Sequence, residues 1–311
     1  MKPGIIRLAL LLLTLTLSDE AWALERVPGT QIALDPPVGF EPSTRFSGYQ
    51  HGTSDLSLIV SELPLPYSKA LDGFSAKGLA RHGMTLLDQH EVRLGDQPAM
   101  LYHVSQGASG VLFYKWLLLF GNEQVTEMVV AVFPEQAETQ WSAPLKQVLL
   151  NTRWQRDVKP DVFEGLSYHV QESGDLKIAT KISTTLLLTR NGIIPKEPND
   201  DPYIAITPSF DQHWQTPEDT LTYTRNRLQQ MENLCIEPKI SHEAPISLDH
   251  LKGHQLQATC TDKHSGKQLA ILHTMIFSDE GYYLFLAVAR DMDKAAYAPI
   301  FQKIIHSFKR G

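Results

Sequence analysis

The sequence predicts an α+β protein made of two tandem α/β/α sandwiches, each a mainly antiparallel sheet flanked by helices. Three features carry that prediction. The stretches SGVLFYKWLLLFGNEQVTEMVVAVF (109–133) and SGKQLAILHTMIFSDEGYYLFLAVA (265–289) share one pattern, in which Ser-Gly opens a long apolar strand ending in Phe, a polar tip follows, and a second apolar strand returns. Phe120 matches Phe277 in this alignment, at an offset of about 157 residues. Leu112, Tyr114, Trp116, Leu118 and Phe120 make one face of the first strand apolar, and Phe113, Leu117 and Leu119 do the same for the other. A sheet of such strands is covered on both sides even though hairpins join them. Helical periodicity supplies the cover: Trp141, Leu145, Val148 and Leu149 in the first copy, and Tyr297, Ile300, Phe301, Ile304, Ile305 and Phe308 in the second.

Taken in order, the chain opens with Lys2 and Arg7, an apolar run LALLLLTLTL (8–17) and the small-x-small triplet Ala21-Trp22-Ala23. At 1.5 Å rise per residue such a run reaches about half of a ~30 Å hydrocarbon core. It reads as a signal peptide, 1–23, cleaved before Leu24, which implies a periplasmic or secreted protein with no stable membrane insertion after cleavage. The first domain then spans 24–154, with a helix near 68–82, a short hairpin turning at Gly95-Asp96, the long hairpin and a helix containing Pro144. The polar segment QRDVKPDV (155–162) is the expected linker. The second domain, 163–311, repeats the plan: a helix near 217–232 with Thr216 as its cap and Pro217 first, a short hairpin with a longer turn, the long hairpin, and a last helix with Pro299.

Composition narrows the function classes. The 311 residues are 42% hydrophobic and 20% charged, with 28 Lys and Arg against 35 Asp and Glu, for a net charge of -7. These values exclude a coiled coil, a disordered tail and a polytopic membrane protein. They leave no basic excess to neutralise phosphates, which argues against a nucleic-acid partner. The two cysteines, Cys235 and Cys260, are expected to form a disulfide in an oxidising compartment, stabilising the fold by roughly 3 kcal/mol on the chain-entropy estimate.

The arrangement of a helix after the early strands, a two-hairpin meander and a closing helix resembles the PsbP-like fold. In the first copy, FEPSTRFSGYQ, LSLIVSELPLPY, FSAKGLARHGMTLL and FYKWLLLFG are similar to exported bacterial members of that group over about 125 residues. The second copy resembles it chiefly through its C-terminal hairpin and helix. The matching residues are core and turn positions, so the resemblance implies a fold and a bias towards binding or assembly roles, and it carries no functional residue across.

No catalytic motif stands out. There is no G-x-S-x-G elbow, Walker A, G-x-G-x-x-G or H-E-x-x-H, and no cofactor is expected. Of twelve histidines, His242, His250 and His254, with Asp249, are the candidate metal ligands, although i, i+4 spacing gives a common face only on a helix. The acidic segment around Asp200 and Asp201 lacks the spacing of a calcium loop. Tyr67, Tyr203 and Trp214 are candidates for a binding surface on loops. The function expected is an exported, non-catalytic binding or accessory module that recognises a protein or small ligand through loops or the inter-domain groove. The alternative is a metal-dependent hydrolase or metal-binding protein using the second-domain histidines.

Overall fold

The computed structural model describes residues 24–311 except 53, 109, 198, 211–214 and 232–233, so the expected signal peptide, Ser109 and Trp214 lie outside the described residues. The first half begins with β1 (Glu25–Arg26), β2 (Ile32–Leu34), β3 (Phe40–Pro42), β4 (Gly48–His51) and β5 (Ser57–Leu63). Two short helices follow, α1 (Tyr67–Gly73) and α2 (Ala76–Ala80). A meander of β6 (Met84–Leu94), β7 (Gln97–Ala108), β8 (Val111–Gly121) and β9 (Thr126–Pro134) leads to α3 (Glu138–Leu150), and β10 (Arg153–Trp154) returns to pair with β2.

The second half repeats this plan. It runs through β11 (Tyr168–His169), β12 (Leu176–Ile182), β13 (Thr185–Arg190) and β14 (Tyr203–Phe210), then α4 (Thr220–Gln229). The meander β15 (Cys235–Leu248), β16 (Leu251–Asp262), β17 (Gln268–Ser278) and β18 (Gly281–Arg290) follows, then α5 (Lys294–His306) and β19 (Lys309–Arg310). Each half contains a seven-stranded sheet, with orders β3-β4-β5-β9-β8-β7-β6 and β12-β13-β14-β18-β17-β16-β15. The two orders match strand for strand, and every pairing within them is antiparallel.

Both sheets are covered on both faces, as strands apolar on two sides require. In the first, Trp116, Leu118 and Phe120 pack with Leu145, Val148 and Leu149 of α3, whereas Leu117 and Leu119 pack with Ala70 and Leu79 of the short helices. In the second, Leu272, Ile276 and Phe285 meet Tyr297, Phe301 and Ile304 of α5, whereas Leu269 and Ile271 meet Leu228 of α4. The repeat is therefore structural, but its register shifts by one residue. Phe120 and Phe277 lie on equivalent strands, β8 and β17, yet Phe120 faces the closing helix and Phe277 packs with Tyr223 of α4 on the opposite face. A slip of one residue reverses every side chain of a strand.

Three local expectations are corrected. The segment 68–82 is not one helix: α1 ends at Gly73, and Ser75 caps a new helix by accepting a bond from the Gly78 N–H. The second-domain helix starts at Thr220, with Asp219 as its cap in place of Thr216, because the Asp219 carboxylate accepts the Thr222 N–H at 2.9 Å. The β15–β16 hairpin has no longer turn: Leu248 pairs with Leu251, leaving Asp249 and His250 alone at the tip, both with positive φ. Cys235 and Cys260 are disulfide-bonded with a Cα separation of 5.6 Å, joining β15 to β16 beneath α4.

Candidate binding site between the two units

The site begins with an unequal pairing in the first sheet. β5 pairs with β9 along Ser57–Leu63, but with β4 only from Ser57 to Ile59. Past Ile59 the Val60 N–H still donates to the Ser47 carbonyl at 2.8 Å, and beyond it no strand among the described residues pairs with that flank of β5. There β12, the edge strand of the second sheet, lies against it without joining the sheet. Between the units is a cavity of about 340 Å³, whose walls include Ser47, Ser61 and Glu62 from the first unit, Lys159 and Asp161 from the connecting segment, and Lys181 from β12.

Charged contacts fix this junction. The Arg26 guanidinium donates to both carboxylate oxygens of Glu164, at 2.9 and 2.7 Å, a fork geometry that sets orientation as well as distance. That guanidinium holds the Glu164 carboxyl below the usual carboxylate range. The Lys181 ammonium donates to the Glu164 carbonyl at 2.9 Å. The connecting segment is pinned in turn: the Gln31 side-chain amide donates to the Val158 carbonyl at 2.7 Å, and the Gln155 N–H donates to the Gln31 carbonyl at 2.8 Å. Close approach of the units needs small residues. Gly29 and Gly165 both have positive φ, and a Cβ on either would press on backbone of the other unit.

The electrostatics follow from burial. Glu127 is fully buried and directly opposite Glu62 on the neighbouring strand. Burial, followed by the charge of Glu62, pushes the Glu127 carboxyl up to about 8. Burial also raises Glu62. At neutral pH Glu127 therefore keeps its proton, which leaves Glu62 as the member of the pair able to carry the negative charge. Across the cavity, burial brings the Lys181 ammonium down to about 8, against the opposing pull of Glu164, Glu62 and Asp161. Glu62 and Lys181 feel each other's charge, yet no ion pair joins them directly among the described residues. Ser47 is 3% exposed, and its hydroxyl has no hydrogen-bond partner. The lining has hydroxyls and both signs of charge but no His or Cys, so it is equipped to hold a polar molecule and has no imidazole or thiolate with which to activate one.

The residues singled out from the sequence are distributed elsewhere. Asp249 accepts from the Arg310 guanidinium at 3.1 Å and also faces Lys309. His250 sits at the hairpin tip, and His254 lies on β16 about 13 Å further along at strand rise. The His254 Nε2 is 3.0 Å from the Thr220 hydroxyl at the start of α4. His242 is on β15 opposite Gln257. Among the described residues no three His, Cys, Asp or Glu side chains form a group that could hold a metal ion. Tyr203 is not on a loop: it lies in β14, where burial raises its hydroxyl and its ring packs against the cluster under α4. Tyr67 opens α1, and burial, with a smaller effect of Tyr102, pushes it up to about 12. Glu62, Glu127, Lys181 and Ser47 went unnoticed in the sequence. The available signal was a glutamate inside each of two apolar strands, SLIVSEL and TEMVVAVF.

No protein-family model and no curated protein matches the chain. Solved structures resemble it at low identity. LpqN of Mycobacterium tuberculosis, described as involved in cell envelope biogenesis, is 14% identical with a TM-score of 0.34, over 46% of this chain and 82% of its own. The T6SS immunity protein TplEi of Pseudomonas aeruginosa is 10% identical with a TM-score of 0.32, over 91% of this chain and 96% of its own. Scores this low leave fold and function to be argued from the geometry.

Proposed function

We propose that this chain is an exported, non-catalytic binding or accessory module that recognises a protein or small ligand in the cavity between its two units. One observation carries the reading: the Lys181 ammonium and the Glu62 carboxylate, from different units, face one cavity and do not neutralise each other. Opposite charges that form no direct ion pair with each other in a concave, partly buried site offer a ligand of complementary charge two points of attachment. Export is supported by the leader pattern of residues 1–23 and by the disulfide. No helix among the described residues is long and apolar enough to cross a membrane. The domain limits 24–154 and 163–311, joined by 155–162, are supported by the two matching sheets. The order of early strands, helix, meander and closing helix in each supports a PsbP-like assignment. The metal-dependent hydrolase has no comparable support, since Asp249 is engaged by Arg310 and His254 by Thr220.

The test is capture from native periplasmic extract on immobilised protein, with mass spectrometry of what is retained. The wild type should retain a molecule that the double variant Glu62→Gln/Lys181→Met does not. Identical sets on both proteins would overturn the reading.

A further inference from the structure

The cavity has a charge pattern that selects among ligands. Four charged residues line it, two of each sign: Lys159 and Asp161 on the connecting segment, and Glu62 on β5 and Lys181 on β12, which come from opposite units. A simple anion satisfies Lys181 but meets Glu62, and a simple cation meets the reverse problem. A molecule bearing both charges, separated by a few bonds, complements Glu62 and Lys181 at once. Among the described residues Lys181 makes one hydrogen bond, to the Glu164 carbonyl, and an ammonium has three donors. Ser47 adds an independent sign of a missing partner. Ser47 lines the cavity and is almost fully buried, and its hydroxyl makes no hydrogen bond, an arrangement that costs free energy unless a partner reaches it. Val162 and Ala179 supply apolar wall, so the space between the charged groups suits short aliphatic side chains.

We propose that the inter-unit cavity takes a small zwitterion of amino-acid to dipeptide size, with its carboxylate on the Lys181 ammonium and Ser47 hydroxyl and its ammonium on the Glu62 carboxylate. This assignment rests on the binding reading above and names its ligand class. Binding of this kind also ties the units together, because each end of the ligand is held by a different one.

The experiment is isothermal titration calorimetry on the oxidised full chain at pH 7, with L-alanine and L-alanyl-L-alanine as probes. Two blocked forms of the dipeptide, N-acetylated or C-amidated, each lack one charge. At least one zwitterion should bind, and both blocked forms should bind about tenfold more weakly or worse. Lys181→Met and Glu62→Gln should weaken the zwitterion by a similar factor. Ser47→Ala removes a single oxygen and so leaves folding intact; it should weaken binding a fewfold. Equal binding of a blocked form, or no binding of either zwitterion, overturns the assignment. If the zwitterions fail while capture from periplasmic extract still depends on Glu62 and Lys181, the ligand class alone is wrong. If both fail, the binding reading falls with it.

Discussion

Glu62 and Glu127 stand directly opposite each other on β5 and β9, two carboxyls side by side at the end of an otherwise apolar sheet face. Like charges in this position repel and are costly to bury, so the pair is stable with one proton and strained without it. The consequence for the cavity is indirect but specific: by keeping its own proton, Glu127 lets Glu62 present the negative charge.

Replacing Glu127 by Gln tests this proton. The folded value, about 8, lies above the carboxyl's ordinary 4.5, so the folded state binds more protons between these limits. The stability contributed by this group is therefore full below about 4.5 and is lost as pH rises to about 8. Glu127→Gln should match the wild type near pH 4.5 and exceed it near pH 8.5 by on the order of 3 kcal/mol in urea unfolding. A constant difference across that range would show that no such proton is held.

His273 has the opposite linkage. It is fully buried on β17 beneath α4, neither ring nitrogen has a partner, and burial, with a smaller contribution from Arg227, brings it down to about 3. The unfolded state binds the extra proton between about 6.5 and 3, so stability is present above the ordinary histidine range and falls as pH drops through that window. His273→Leu removes an unpaired polar ring at similar volume. It should be at least as stable as wild type at pH 7 and more stable by on the order of 3 kcal/mol at pH 4. A variant less stable than wild type at both pH values would mean that the ring has a partner after all.

These residues also show what the sequence conveys and what it withholds. Strands apolar on both faces announce a covered sheet, and the two matching hairpins announce a repeat; both readings rest on many residues at once. The same double-sided apolar pattern carries no mark of which face is which. The repeat alignment therefore pairs Phe120 with Phe277, although Ile276 is the residue on the corresponding face. The disulfide was legible because only two cysteines exist. The charged cavity was not, because Glu62, Glu127 and Lys181 meet only after β5 pairs with β9 and one unit docks on the other. No local spacing encodes either event.

The hairpin tip gives a sharper local test. Asp249 and His250 have φ of 46° and 67°, and the two-residue turn they form favours Gly at its second position. Asp249 is anchored by Arg310, whereas His250 is exposed. His250→Gly should raise stability by about 0.5 to 1 kcal/mol, and His250→Ala should leave it nearly unchanged. Thermal melts of the two variants decide it, and a loss on glycine substitution would give the imidazole a structural role.

Gly29 is where the docking of the two units can be tested without touching a charge. It has φ of 71°, and a Cβ there would fall inside the contact distance of the Glu164 carbonyl oxygen and the Lys181 ammonium. Gly83 has nearly the same φ, 70°, but a Cβ on it meets nothing. Alanine at Gly83 therefore incurs only the left-handed backbone strain, about 1 to 2 kcal/mol. Alanine at Gly29 incurs that strain and also forces Glu164 and Lys181 away, which loosens the Arg26 fork and the bond from Lys181 to the Glu164 carbonyl. Gly29→Ala should thus cost about 2 kcal/mol more than Gly83→Ala. Its urea transition should also broaden or split, because units that no longer support each other unfold separately. Equal losses with a single sharp transition in both variants would show that the contacts around Gly29 do not couple the units, and the cavity between them would lose its fixed walls.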